Sequence, residues 1–256
     1  MRIFRSLDAF SPTRNITATV GSYDGVHCGH RMLLRQVVDE ARRSGGESLV
    51  VTFSPHPRLL LEKEPDLKLL TSPEEKCRLL EQLGIDNLLV IPFDRAFSLT
   101  PPEEFIRMLV LRARVSTLVI GYDHRFGRDK RGGHDLLLRM QAEYRLRIIE
   151  VAEQEFEHEH LSSSAIRRLI ERGETGHAAR LLGNPYLLMA EPGPHGELRP
   201  CESRKLLPAP GDYTVRVEPP HRYAGQTVVL TIRPGGTLIL KTDEELPSGP
   251  LLLSFQ

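Results

Sequence analysis

Three things are scarce in this chain of 256 residues: net charge, cysteine and long apolar runs. Lysine plus arginine and aspartate plus glutamate each number 34, so the formal charge is zero. Without surplus positive charge, nucleic acid and anionic membranes are not expected as main partners, although a local basic patch survives inside a neutral total. No apolar run approaches the ~20 residues that cross a bilayer, and Met1-Arg2-Ile3-Phe4-Arg5 lacks the apolar core of a secretory leader. The cysteines, Cys28, Cys77 and Cys201, are odd in number and far apart. They fit reduced thiols and a cytoplasmic location rather than a disulfide framework. No cysteine–histidine spacing suits a structural zinc site, and internal repeats and low-complexity segments are missing too.

What is present is an alternation. Candidate strands at 16–21, 48–53, 87–92, 115–121 and 146–151 are separated by helical patterns at 31–43, 73–83, 102–113 and 134–144, with two more at 163–172 and 175–182. Gly84 and Gly173 sit where helices should stop; Ser72-Pro73 and Thr100-Pro101-Pro102 sit where they should start. Such alternation implies an α/β fold with a parallel sheet, whose ligands bind beyond the carboxyl ends of the strands. The character changes near Asn184-Pro185. From there the chain is rich in proline and glycine and reads as short strands at 186–190, 213–218, 227–232, 237–241 and 251–255. The expected organisation is therefore an α/β domain over 1–185 and a small all-β, barrel-like domain over 186–256.

The most informative stretch is Gly21-Ser22-Tyr23-Asp24-Gly25-Val26-His27-Cys28-Gly29-His30, directly after the first of these strands. A strand ends in a glycine-punctuated turn, and two histidines open a helix. Unpaired N–H groups and a partial positive charge make a helix N-terminus suitable for phosphate. Gly29 lets the backbone come close, and His27 and His30 can donate hydrogen bonds or become charged as an anion binds. The pattern points to a nucleoside triphosphate rather than to a metal.

Three further stretches are open to plainer readings. Phe53-Ser54-Pro55-His56-Pro57-Arg58 is a stiff turn. It can present an apolar shelf to a planar ring, or be no more than a rigid loop. Gly121 to Gly133 crowds four basic residues, His124 and four glycines around Asp123, Arg125, Phe126 and Gly127. That suits phosphate contact or a solvated loop. Ser162-Ser163-Ser164 before Ile166-Arg167 caps a helix, or holds a terminal phosphate with Arg167 as a fixed fork. The acidic, histidine-bearing run 153–160 reads as a solvated connection rather than a metal site.

Together, in this order, the four motifs resemble the bacterial FAD synthetase family over about residues 15–185. Tyr23 and His124 stand where that family usually has phenylalanine, and Ser164 where it has threonine. The resemblance implies a Rossmann-like nucleotidyltransferase domain that transfers AMP from ATP to FMN, giving FAD and pyrophosphate. It implies His27, His30 and Arg167 as catalytic residues. Gly21, Ser22, Tyr23, Asp24, Gly29, Ser162, Ser163 and Ser164 would bind nucleotide. Phe53, Pro55, His56, Pro57, Arg58, Asp123, Arg125, Phe126 and Gly127 would face the flavin. Mg²⁺ would arrive with ATP, and no resident metal site is expected. The turn Lys205 to Tyr213 resembles part of the family's riboflavin-kinase barrel. The kinase signature Gly-x-Pro-Thr-Ala-Asn is missing after Pro185, which implies a barrel kept without its kinase chemistry. The alternatives are a bifunctional kinase and adenylyltransferase, a nucleotidyltransferase for another acceptor such as a pantetheine or glycerol phosphate, and a non-catalytic flavin- or nucleotide-binding protein.

Overall fold

Six strands form one all-parallel sheet: β1 (Arg2–Phe4), β2 (Ile16–Val20), β3 (Glu47–Ser54), β4 (Asn87–Pro92), β5 (Val115–Gly121) and β6 (Arg147–Val151). The structure, a computed structural model, describes residues 1–61, 66–121, 134–151, 161–193, 197–220, 224–242 and 249–256, side chains at 134 and 135 excepted. The spatial order is β1-β4-β3-β2-β5-β6. All five residues of β2 are buried, as a strand covered on both faces must be. Between strands run α1 (Cys28–Arg43), α2 (Pro57–Leu60), α3 (Pro73–Gln82), α4 (Arg95–Ser98), α5 (Pro102–Leu111) and α6 (His134–Tyr144). In α1 the buried Leu33, Leu34, Val37, Val38 and Ala41 recur at helical spacing and set its inner face.

The remaining elements are α7 (Ser163–Glu171), α8 (Thr175–Leu182) and strands β7 (Leu187–Pro192), β8 (Glu197–Pro200), β9 (Gly211–Val217), β10 (Thr227–Ile232), β11 (Leu238–Lys241) and β12 (Leu251–Phe255). These strands close an antiparallel barrel in the order β10-β11-β8-β7-β12-β9. Leu188, Val215, Leu230, Leu238, Leu253 and Phe255 share one apolar cluster with Ile166, Ile170 and Leu182 from α7 and α8. Closure leaves the barrel without a free edge. The fold class is therefore a Rossmann-like parallel α/β sheet with a closed β barrel.

Packing divides the chain into two compact units that do not follow chain order. One is Met1–Tyr23, Gly29–Leu67 and Leu80–Glu157; the other is Asp24–Cys28, Lys68–Leu79 and His158–Gln256. The sheet unit's core gathers Ile16, Ala18, Leu49, Val51, Leu89 and Leu118 with Phe105, Ile106 and Leu109 of α5 and Leu136, Leu137 and Met140 of α6.

Three local differences from the sequence reading have plain causes. Helix α1 begins at Cys28, three residues before the expected Arg31, because first-turn N–H groups need no partner within the helix and Gly29 costs little there. Strands β1 and β8, of three and four residues, are too short for a period-two pattern to reveal. The one-turn helices α2 and α4 are held by side-chain caps.

Asp86 anchors the start of β3 from outside. Its Oδ2 accepts from the Ser48 amide at 2.8 Å and the Ser48 hydroxyl at 2.7 Å, while Ser48 Oγ accepts from the Asp86 amide at 2.8 Å. Ser48 is fully buried. Asp86→Ala strands those buried donors and is expected to cost about 1–3 kcal/mol, read as a lower urea midpoint with an unchanged slope.

Candidate functional site

The chain runs β2, β3, β4 outward across the sheet and then returns to the other side of β2 as β5. Strand order therefore reverses between β2 and β5, and ligands of such sheets bind outside the carboxyl ends at that point. Gly21 leaves β2 there, its amide still donating to Val51 O of β3 at 3.0 Å. The Ser22 carbonyl accepts from Thr52 Oγ1 at 3.3 Å. Tyr23 turns inward, its hydroxyl 2.7 Å from Thr19 Oγ1 and its ring 5.2 Å from the His30 imidazole, edge to face. A side chain at position 21 would have its Cβ 2.9 Å from the Tyr23 ring. His30 is the third residue of α1, in the first turn, where backbone N–H groups have no partner inside the helix. Burial pushes the Tyr23 phenol well up, making it a neutral buttress rather than an acid.

The other half of the loop belongs with the barrel unit. Tyr23, Gly25 and Val26 have φ of +47°, +85° and +45°. At Val26, fully buried, a left-handed backbone costs roughly 1–2 kcal/mol and persists only where its surroundings over-determine it. Asp24 supplies that constraint. Its carboxylate accepts from the Leu70 amide at 3.0 and 3.2 Å, the Thr71 amide at 3.0 Å and the Thr71 hydroxyl at 3.2 Å. Thr71 Oγ1 accepts in turn from the Gly25 amide at 3.2 Å. A short ion pair joins Asp24 to Arg167, whose Nε also donates to Lys68 O at 2.8 Å. Ser163 Oγ donates to the Asp24 carbonyl at 3.1 Å. Asp24, Ser163 and Arg167, which sequence spacing alone could not join, thus meet at one residue, Arg167 on the Asp24 carboxylate and Ser163 on its backbone carbonyl.

Ser162 caps α7, its oxygen accepting from the Ala165 amide at 3.2 Å, and Ser164 is exposed in the first turn. His27 stands just before α1 and is 8% exposed. Burial lowers its pKa to about 4 against the opposing pull of the Asp24 carboxylate, so the ring is neutral at pH 7.

At the carboxyl ends of β3 and β4, the half-buried Phe53 joins an aromatic group. Its ring centroid lies 5.4, 6.0 and 6.3 Å from those of Phe93, Phe97 and Phe105. The Ser54–Pro55 peptide is cis, and His56 caps α2, Nδ1 accepting from the Arg58 amide at 3.2 Å with Pro57 in the first turn. Phe97 was not singled out in the sequence; the cue was the Asp94 cap that turns α4 and brings Phe93 and Phe97 together. Asp123, His124, Arg125, Phe126 and Gly127 lie outside the described residues. Among the described residues, no three His, Cys, Asp or Glu side chains group as a metal site, and no helix is long and apolar enough to cross a membrane.

Residues 10–165 match the family model described as FAD synthetase. A protein of Listeria monocytogenes named bifunctional riboflavin kinase/FMN adenylyltransferase is 30% identical over 94% of this chain and 79% of its own length. One of the same name from Escherichia coli is 32% identical over 73% of this chain, but only 61% of its own length. A second Listeria monocytogenes protein, named FAD synthetase, is 30% identical over 78% of this chain and 81% of its own length. The crystal structure titled macrolide-efflux protein from Streptococcus pneumoniae superposes with a TM-score of 0.83 over 99% of this chain and 96% of that one; at 23% identity the likeness is one of fold.

Asp24→Ala leaves the Arg167 charge buried without its partner and is expected to destabilise the protein by about 3–5 kcal/mol, measured by equilibrium unfolding. His27 gives a pH test. Its folded pKa of about 4 lies below the ordinary 6.5, so the unfolded chain binds the proton first and stability falls as pH drops from 6.5 toward 4. Melting curves across that window are expected to fall less steeply for His27→Gln; equal slopes would place the acid sensitivity elsewhere.

Proposed function

The chain belongs to the FAD synthetase family, and we infer that it transfers AMP from ATP to FMN, giving FAD and pyrophosphate. The observation that carries this reading is the His27-Cys28-Gly29-His30 turn, entering α1 directly after β2 at the strand-order reversal. The FMN phosphate is already an anion at neutral pH, so attack on the α-phosphorus needs no strong general base. Catalysis then rests on holding the two phosphates in line and on stabilising the charge that builds on the transferring group. In this reading His30 and the first amides of α1 face that group, and His27 donates to the triphosphate. The first turn of α7, with Ser163, Ser164 and Arg167, holds the departing β- and γ-phosphates. Arg167 does so from a fixed position, its Nε and one Nη already bound to Lys68 O and Asp24.

Mg²⁺ would travel with ATP as part of the substrate and would need few protein ligands. The residues fit that role, since Asp24 is committed to Arg167, Leu70 and Thr71. The aromatic group around Phe53 is the surface on which the flavin ring would stack, and Pro55, His56, Pro57 and Arg58 would line the same side. Asp123, Arg125, Phe126 and Gly127 are proposed for the flavin side on resemblance alone. The barrel over 186–256 lacks the kinase signature, and we propose that it does not phosphorylate riboflavin. ATP, FMN, FAD and pyrophosphate are then the partners of a cytoplasmic enzyme.

Purified protein given MgATP and either FMN or riboflavin, with products separated by chromatography, is expected to form FAD and pyrophosphate from FMN and no FMN from riboflavin. Absence of FAD would end the adenylyl-transfer reading, and sustained FMN formation would end the silent-barrel reading. His30→Asn should lower kcat by about 10²–10³, the size of one lost transition-state donor, with FMN binding retained.

A further inference from the structure

A second buried ion pair lies in the barrel unit. Lys205 Nζ donates to Glu75 Oε2 at 2.6 Å and to the Leu70 carbonyl at 2.6 Å, and sits 4.1 Å from the centre of the Tyr186 ring. The side chains of Lys205 and Glu75 are 1% and 0% exposed. Glu75 spends its other bonds on the Ser72 amide at 2.9 Å and the Met189 amide of β7 at 2.6 Å. Backbone pairing repeats the link, Leu69 N donating to Arg204 O and Leu206 N to Leu69 O. Burial pulls the Lys205 ammonium down and Glu75 pulls it back up. So costly a pair is weak evidence for stability, since apolar residues of similar size serve as well.

Its geometry suggests another use. The Leu70 residue is pinned at both ends, its amide to the Asp24 carboxylate and its carbonyl to Lys205. Asp24 in turn fixes the left-handed loop before His27 and the guanidinium of Arg167. We propose that Lys205 is a positioning residue for adenylyl transfer: from the barrel, with Glu75, it holds the 69–72 segment that sets Asp24 and Arg167 for the ATP phosphates. The proposal rests on the adenylyl-transfer reading and gives the barrel a part in that reaction. It concerns the nucleotide side, so flavin binding should not feel it.

The test uses the full chain. Lys205→Met, the pair Lys205→Met/Glu75→Gln, and the control Lys241→Met, which breaks an exposed barrel pair with Asp212, are compared for MgATP binding by calorimetry, FMN binding by fluorescence, KM and kcat for each substrate, and thermal melting. Lys205→Met is expected to bind MgATP about tenfold more weakly and to raise KM for ATP, with FMN binding and the control unchanged. The paired variant removes both buried charges, so it is expected to recover melting temperature without recovering MgATP binding, and it decides the matter if Lys205→Met alone does not fold. Wild-type MgATP affinity in the paired variant would overturn the proposal and leave the pair a structural device. A wild type that binds MgATP but makes no FAD would end the adenylyl-transfer reading, while the binding comparison would still decide the role of Lys205.

Discussion

The buried ion pair between Asp24 and Arg167 is the constraint from which the candidate nucleotide site follows. Each charge on its own would be expelled from so dry a place. Together they survive because the carboxylate also accepts from Leu70 and Thr71 and the guanidinium also donates to Lys68 O. What this arrangement secures is position. It joins the turn after β2, the start of α3 and the start of α7, three segments that loop entropy would otherwise leave independent. It also holds Val26 in a backbone region that its branched side chain disfavours. The strain is then a local cost of a loop shaped for a ligand rather than for itself.

That centre was only half legible in the sequence. Asp24 and Arg167 were both singled out, Asp24 as a nucleotide contact and Arg167 as a phosphate fork. Nothing in their spacing of 143 residues says that they touch. Lys205 stood only at the start of a stretch that resembles the family's barrel, and Ser72-Pro73 only as a helix start. Yet Ser72-Pro73-Glu74-Glu75 carries a capping box in plain sight, Ser72 Oγ accepting from the Glu75 amide at 3.1 Å as Glu75 Oε2 accepts from Ser72. What a capping pattern cannot reveal is that the same glutamate has a second oxygen facing β7 and a lysine on its first.

The elements themselves were far more readable. Strands β2 to β6 announced themselves because a covered parallel sheet demands continuous apolar runs, and α5 and α6 because one apolar stripe recurs every turn. Helices α7 and α8 show the boundary of that logic. Ile166, Leu169, Ile170 and Ala178 mark a buried face, but periodicity does not say against what it packs. Their neighbours in the cluster include Leu188, Val215 and Phe255 of the barrel. Strand β1 pairs with β4 across 85 positions of sequence, and three residues carry no pattern that would foretell it.

One contrast among the helices bears on where the protein expects an anion. Helices α3 and α5 fill their first turns with Glu74, Glu75 and Glu103, Glu104. Those carboxylates answer the exposed amides and the positive end of the dipole. Helices α1 and α7 have no acidic residue in the first turn. At α7 the neutral Ser162 takes one amide; at α1 His30 lies in the first turn, with His27, uncharged in its buried place, just before it. The dipole of α1 is answered only at its far end, by Arg42 and Arg43. A helix start that carries its own carboxylates repels a phosphate, whereas one left with neutral donors attracts it. The two helices that the nucleotide reading needs are of the second kind, and α3, whose first turn instead braces Lys205 and β7, is of the first. Glu75 of α3 is thus spent on closing the fold, while α1 and α7 carry no acid in the turns where a polyphosphate would sit.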